Sequence, residues 1–248
     1  MRTLKQLAAP FAALLLAGPA AATTMSLQLS WQNSQGQTLT WNGSQSGTPT
    51  GEGQEEAFSG QHVAGTWVLG WDATADADPF VNGFFSIQNN SAITQTYTFT
   101  VTLPIAPPIV PVPVSAIGGS IGVTVTDTNG NGVATVASAG AGFVFNASND
   151  GSTTLQLLGP GFALSAPFAG GSATVSASAG LPGGTIASIA ANGSISITHT
   201  FTLTPGDAVG LTSFYLVNPV PEPGTLALFG AGALGLLRFG RRRAPLTF

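Results

Sequence analysis

Apolar and hydroxyl-bearing residues alternate along much of the chain. Tyr97, Phe99, Val101 and Leu103 are interleaved with Thr96, Thr98, Thr100 and Thr102, and Ile195, Ile197, His199, Phe201 and Leu203 with Ser196, Thr198, Thr200 and Thr202. Leu27, Leu29 and Trp31, and later Ile121, Val123 and Val125, repeat the pattern. A period of two is the signature of a strand with one face in a core. Turn-forming residues separate the runs, at Asn42-Gly43, Asn89-Asn90, Asn129 to Gly132, Asn149 to Gly151, Asn192-Gly193 and Pro205 to Asp207. The pattern predicts about a dozen strands and no helix before residue 224. Strands with one apolar and one Ser/Thr face must bury the first against a second sheet, so the expected fold is all-β, a jelly-roll-like β-sandwich.

Pro104, Pro107, Pro108, Pro111 and Pro113 interrupt the alternation, and a stretch so rich in proline cannot run as a central strand. It reads as a crossover within one sandwich, because the Trp-rich first half is too small to cover its own sheets. A boundary between two units at 104–113 is the alternative division of the body, 23–218. Positions 165–191 are rich in Gly, Ala and Ser, which predicts thinly packed strands there. With 248 residues, 44% of them apolar, the chain can bury a core, and with no cysteine it must do so without disulfides.

Charge changes the picture further. Only 6% of the residues are charged, against about a quarter in an ordinary soluble domain. The six basic residues are Arg2, Lys5, Arg238, Arg241, Arg242 and Arg243; positions 6–237 contain neither Lys nor Arg but hold all ten acids, nine of them before Glu222. Trimmed at both ends, the body would carry a net charge of about −9, with only His62 and His199 as bases. Nucleic acid and anionic headgroups would repel such a body, so no nucleic-acid partner is expected. Apolar packing and backbone ladders must hold it together.

The two ends carry addressing signals. Arg2 and Lys5 precede an apolar run at 7–16 and the small-residue segment Ala17-Gly-Pro-Ala-Ala-Ala22. Ala20 and Ala22 fit the A-x-A rule, which makes 1–22 an export signal cut after Ala22; Pro10 and Pro19 argue against a buried first helix. At the other end, Val220-Pro221-Glu222-Pro223 is followed by an apolar run at 224–237 and by Arg238, Arg241, Arg242 and Arg243. The prolines hold Glu222 extended and accessible. The arginines would stay cytoplasmic and leave the body outside. A helix over about 224–239 has an apolar stretch of only about 21 Å, short of the roughly 30 Å hydrocarbon core. That shortness suits a transient membrane stop, with a permanent anchor as the alternative.

Those three parts in order, over residues 219–248, closely resemble the PEP-CTERM sorting signal of Gram-negative bacteria. The resemblance implies recognition by an exosortase, a membrane cysteine transpeptidase-like enzyme, with Pro221, Glu222 and Pro223 as substrate residues. It also implies association with exopolysaccharide and a location in the envelope or extracellular matrix after transient inner-membrane anchoring. The body is similar to other members of the group at 78–90 (Asp-Pro-Phe-Val-Asn-Gly-Phe-Phe-Ser-Ile-Gln-Asn-Asn) and at 201–207, a likeness that implies exported β-domains and no activity.

Candidate chemistry is sparse, and no cofactor is implied. Asp72, Asp76 and Asp78 are weak calcium candidates in what reads as a solvated loop. Asp127-x-Asn129-x-Asn131-Gly132 starts like a calcium loop, but Ser138 stands where the bidentate acid belongs, so a hairpin turn is expected. Gly118-Gly-Ser120-Ile-Gly122 spells G-x-S-x-G yet runs into strand-like residues, not a helix. His62, with Glu55 and Glu56, reads as part of a flexible loop without metal spacing, and His199 as a core or sheet-edge histidine. Trp31, Trp41, Trp67 and Trp71 fall on apolar phases and read as core, although exposed tryptophans would suit sugar stacking. The Ser/Thr faces read as solvated, or as O-glycan acceptors or flat hydrogen-bonding surfaces for polysaccharide, ice or neighbouring copies. The expectation is a non-enzymatic exported β-protein. A carbohydrate-binding module is the alternative, and an extracellular hydrolase, which needs facing carboxylates or a serine–histidine contact in a cleft, comes third.

Overall fold

A computed structural model describes residues 23–33, 35–51, 55–76, 79–105, 114–180, 185–187 and 193–219. Residues 1–22, Asp78, most of the proline-rich segment and everything from 220 onward lie outside the described residues. The described residues form strands and connections without a helix. The strands of the first half are β1 (Thr24–Gln32), β2 (Thr38–Ser46), β3 (Thr48–Pro49), β4 (Glu56–Val63), β5 (Trp67–Asp76), β6 (Phe80–Asn89) and β7 (Gln95–Pro104). Those of the second half are β8 (Val114–Thr126), β9 (Thr135–Ser138), β10 (Phe145–Asn149), β11 (Ser152–Leu157), β12 (Ala163–Ser165), β13 (Ser172–Ala179), β14 (Thr185–Ala187), β15 (Ser194–Leu203) and β16 (Ala208–Pro219).

They make two antiparallel eight-stranded sheets, the β-sandwich expected from the alternation. Sheet A runs β11-β10-β15-β7-β1-β2, with β9 on β15 beside β10 and β12 on β9; sheet B runs β13-β8-β16-β6-β5-β4-β3, with β14 on β8. Strands from both sides of the proline-rich segment therefore pair within each sheet. The apolar phases meet in one core. Leu29, Phe99, His199 and Phe145 form a row across sheet A, facing the row Trp71, Phe85, Leu211 and Val123 of sheet B. Phe85 and Phe99 join the layers, with ring centroids 5.2 Å apart. Each such side chain contributes roughly 1.5–3 kcal/mol when fully buried.

Several turn signals act differently from their local reading. Asn42 and Gly43 lie inside β2. A Cβ on Gly43 would stand 2.4 Å from the Trp41 ring, so this glycine makes room for an indole. The Asp127 to Gly132 segment is not the expected hairpin turn: it carries the chain from β8 in sheet B to β9 in sheet A, and the Pro205 to Asp207 turn carries it back from β15 to β16. His62 and Glu56 belong to β4, not to a flexible loop. Asp72 and Asp76 lie in β5, not in a solvated loop. Local sequence hides β4 because its Ser59-Gly60-Gln61 centre is polar, whereas its pairing with β5 is not visible locally.

Candidate functional site

Three places concentrate polar chemistry. The first is the outer face of sheet A. Because β1, β2, β7, β15 and β10 alternate in register, their hydroxyl and carboxamide phases all point outward together. One row crosses six strands: Gln156, Asn146, Thr198, Thr100, Gln28 and Asn42. Its members bond laterally, Gln156 Nε2 donating to Asn146 Oδ1 at 2.7 Å, Thr198 and Thr100 sharing a hydrogen bond of 3.0 Å, and Gln28 Nε2 donating to Asn42 Oδ1 at 2.9 Å. Ser30 and Thr40 bond likewise at 3.0 Å in the next row. None of the eight strands of sheet A contains Asp, Glu, Lys or Arg. A shallow depression of about 280 Å³ opens on this face, lined by Ser26, Gln28, Asn42, Thr100 and Thr102 with Leu27 and Gly43.

The second place is the tryptophan cluster, where β1 and β2 face β4 and β5. Trp67 is buried, and Trp31, Trp41 and Trp71 are half-buried against the core. Trp31 and Trp67 meet edge to face at 5.1 Å, and His62 lies 4.6 Å from Trp41 and 5.1 Å from Trp67. Trp71 Nε1 donates to Gln45 Oε1 at 2.6 Å, joining the sheets. Gly60 leaves the space that the Trp71 ring fills. The tryptophans thus close the gap between the sheets, as their apolar phase predicts, and present no open platform to a sugar ring. Among the described residues the exposed aromatics are instead Phe168, 65% accessible, and Phe84 on the outer face of sheet B, 48% accessible; nothing in the sequence neighbourhood of Phe84 distinguishes it from the buried Phe85 except parity.

The third place pairs two carboxyl groups that lie 80 positions apart in the sequence. Asp127 Oδ1 accepts from Gly130 N at 2.7 Å, and its Oδ2 from Gly132 N at 2.6 Å and Gly170 N at 3.1 Å. Burial pushes the Asp127 carboxyl up, but the N–H groups of Gly132, Gly170, Gly130 and Asn131 outweigh burial and hold it below the usual carboxylate range. Asp207 is fully buried, and Thr204 Oγ1 donates to its Oδ2 at 2.6 Å. Burial first, and then the neighbouring Asp127 charge, push the Asp207 carboxyl up. The two shifts run in opposite directions, and Asp207 Oδ1 has no hydrogen-bond partner. Both oxygens of Asp127 are spent on backbone N–H groups, leaving the DxNxNG loop poorly placed to ligate a cation. Asp72 and Asp76 stand four residues apart on an extended strand, about 13 Å, and among the described residues no three acidic, histidine or cysteine side chains gather as metal ligands.

A serine–histidine contact is present as well. Ser213 Oγ and His199 Nε2 lie 3.1 Å apart, both buried and walled in by Phe85, Phe99 and Phe145. No carboxylate orients Nδ1, which has no hydrogen-bond partner. Burial pushes the imidazole down to about 3, opposed by the Val144 carbonyl. A substrate cannot reach this pair without opening the core. Ser120 sits within β8, so the G-x-S-x-G stretch is plain strand with no elbow.

The end of the sandwich is informative in a different way. Strand β16 finishes at Pro219, and residues 219–243 match the family described as the PEP-CTERM protein-sorting motif. The chain carries a PEP-CTERM sorting motif. Val220, Pro221, Glu222, Pro223, Arg238, Arg241, Arg242 and Arg243 all fall inside the match, though outside the described residues. The match begins at the residue where the last described strand ends. A sorting motif of this kind supports an exported, exosortase-sorted protein directed to the cell envelope. No curated protein matches the chain. The predicted cleavage residues Ala20 and Ala22, the tail helix and its basic end lie outside the described residues. Among the described residues no helix is long and apolar enough to cross a membrane.

Proposed function

We propose that this PEP-CTERM protein is a non-enzymatic structural or adhesive component of the envelope or extracellular matrix, delivered by its tail and associated with exopolysaccharide through the outer face of sheet A. The sorting motif at 219–243 carries the reading. The neutral hydrogen-bonding face supports it, because hydroxyl and carboxamide rows can exchange hydrogen bonds with sugar hydroxyls and offer no charge to attract a polyanion. Transient contact with the inner membrane, held by the apolar tail and its arginines, precedes release. The second reading, a discrete carbohydrate-binding module, is favoured by the depression around Gln28, Asn42 and Thr100.

Two measurements test this. Glu222→Ala in a host that has the exosortase should leave the tail uncut, read as a heavier intact mass; unchanged processing would defeat the sorting claim. Pull-down on the native exopolysaccharide should retain the wild-type body, and Thr100→Glu, which places charge mid-row, should lose it. Retention that saturates at a defined stoichiometry favours the module, and graded, non-saturating retention favours the matrix role. No retention overturns the association.

A further inference from the structure

Glu56 is a carboxylate in an unusual position. It opens β4 in sheet B, is only 7% exposed, and holds Thr23, the residue before β1 of sheet A. The Thr23 backbone nitrogen lies 3.1 Å from Glu56 Oε1 and 2.9 Å from Oε2. Gly47 N donates to the Thr23 carbonyl at 2.9 Å, and a Cβ at Gly47 would stand 2.3 Å from Oε2, so the pocket around the carboxylate is closed on the side where β2 passes to β3. A peptide nitrogen has one hydrogen, which the two oxygens share in a bifurcated bond. An ammonium has three hydrogens and a charge.

A buried carboxylate needs a cation or a full set of hydrogen bonds. Positions 6–237 contain no Lys or Arg, so no basic side chain of the body other than a histidine can serve Glu56. The expected export cut falls after Ala22 and makes Thr23 the first residue. From this juxtaposition we infer that signal removal converts the Thr23 nitrogen into an α-ammonium that seats on both oxygens of Glu56, forming an ion pair between the two sheets that exists only in the processed chain. The inference rests on the export reading for its cut site, while the ion pair itself is separately measurable. It would make processing a folding step as well as a delivery step: the precursor offers Glu56 one shared N–H, and the mature chain completes the site.

Composition makes the test selective. The chain from Thr23 onward contains no lysine, so an amine-reactive ester followed by intact mass reports on the Thr23 amine alone. Three forms of the mature chain with its tail are compared at one pH: wild type beginning at Thr23, the same chain carrying Glu56→Gln, and wild type extended by Ala22. An amine raised by about one unit acylates roughly tenfold more slowly, so the first form should be slower by about that factor than the other two, and all three should be equal in denaturant. Equal native rates for the Thr23 and Ala22 forms overturn the ion pair, and this comparison holds even where Glu56→Gln fails to fold. N-terminal sequencing of the exported protein is the separate arm. A first residue other than Thr23 overturns the role of processing, whatever the engineered chains do.

Discussion

His199 shows how much one side chain can owe to its surroundings. In an unfolded chain its imidazole titrates near 6.5; in the core, desolvation pushes it down to about 3. Between those values the unfolded chain holds a proton that the folded chain does not. Stability from this residue is therefore complete above about pH 6.5 and falls by about 1.4 kcal/mol per unit as pH drops toward 3. Urea unfolding should find the wild type about 2 kcal/mol less stable at pH 5 than at pH 7 from this source, and His199→Leu should remove that difference. An unchanged pH slope in the variant would assign the loss to other groups. At this scale the alternation of His199 with Ile197 and Phe201 already placed it inward. Its partner Ser213 comes from the opposite sheet, and no local pattern joins them.

Among elements, the connections between sheets matter most. The β8–β9 and β15–β16 crossings meet at Asp127 and Asp207, and Asn89 at the end of β6 locks the second crossing through Gly206 N to Asn89 O at 2.7 Å and Asn89 Nδ2 to Leu203 O at 2.9 Å. Asp127→Ala would strand three backbone N–H groups and should cost more than about 2 kcal/mol by thermal or urea unfolding. Asp207→Asn removes a charge that burial and the neighbouring Asp127 both disfavour, and should change stability by less than about 1 kcal/mol. A large loss from Asp207→Asn would show that the crossing depends on the Asp207 charge. Both segments are legible as bends, and the hairpin expected at Asp127 to Gly132 is a crossing instead, because a turn residue shows that the chain bends but not which sheet it bends toward.

For the whole molecule the distribution of charge is decisive. The strands of sheet A hold no Asp, Glu, Lys or Arg, and their ionisable side chains are the buried His199 and Tyr97, while sheet B carries Glu56, Asp72 and Asp76. Association through sheet A should then be insensitive to ionic strength: exopolysaccharide retained at low salt should remain bound at about 0.5 M, where charge-driven binding is screened within a few ångströms. Release by salt would point to sheet B or to the basic tail as the contact.

The class of fold, the inward phase of the tryptophans, the hydroxyl-rich outer face of sheet A and the sorting tail were legible in the residues themselves, because each is written in short-range periodicity or in a contiguous motif. Tertiary structure alone decided which strands pair, that β4 exists despite its polar centre, that Asp127 meets Asp207, and that Glu56 reaches Thr23. The Glu56–Thr23 and Asp127–Asp207 contacts join positions 33 and 80 residues apart, and strand pairs such as Leu216 with Phe80 lie farther apart still; chain closure over such distances is governed by the packing of whole sheets, which no local pattern records.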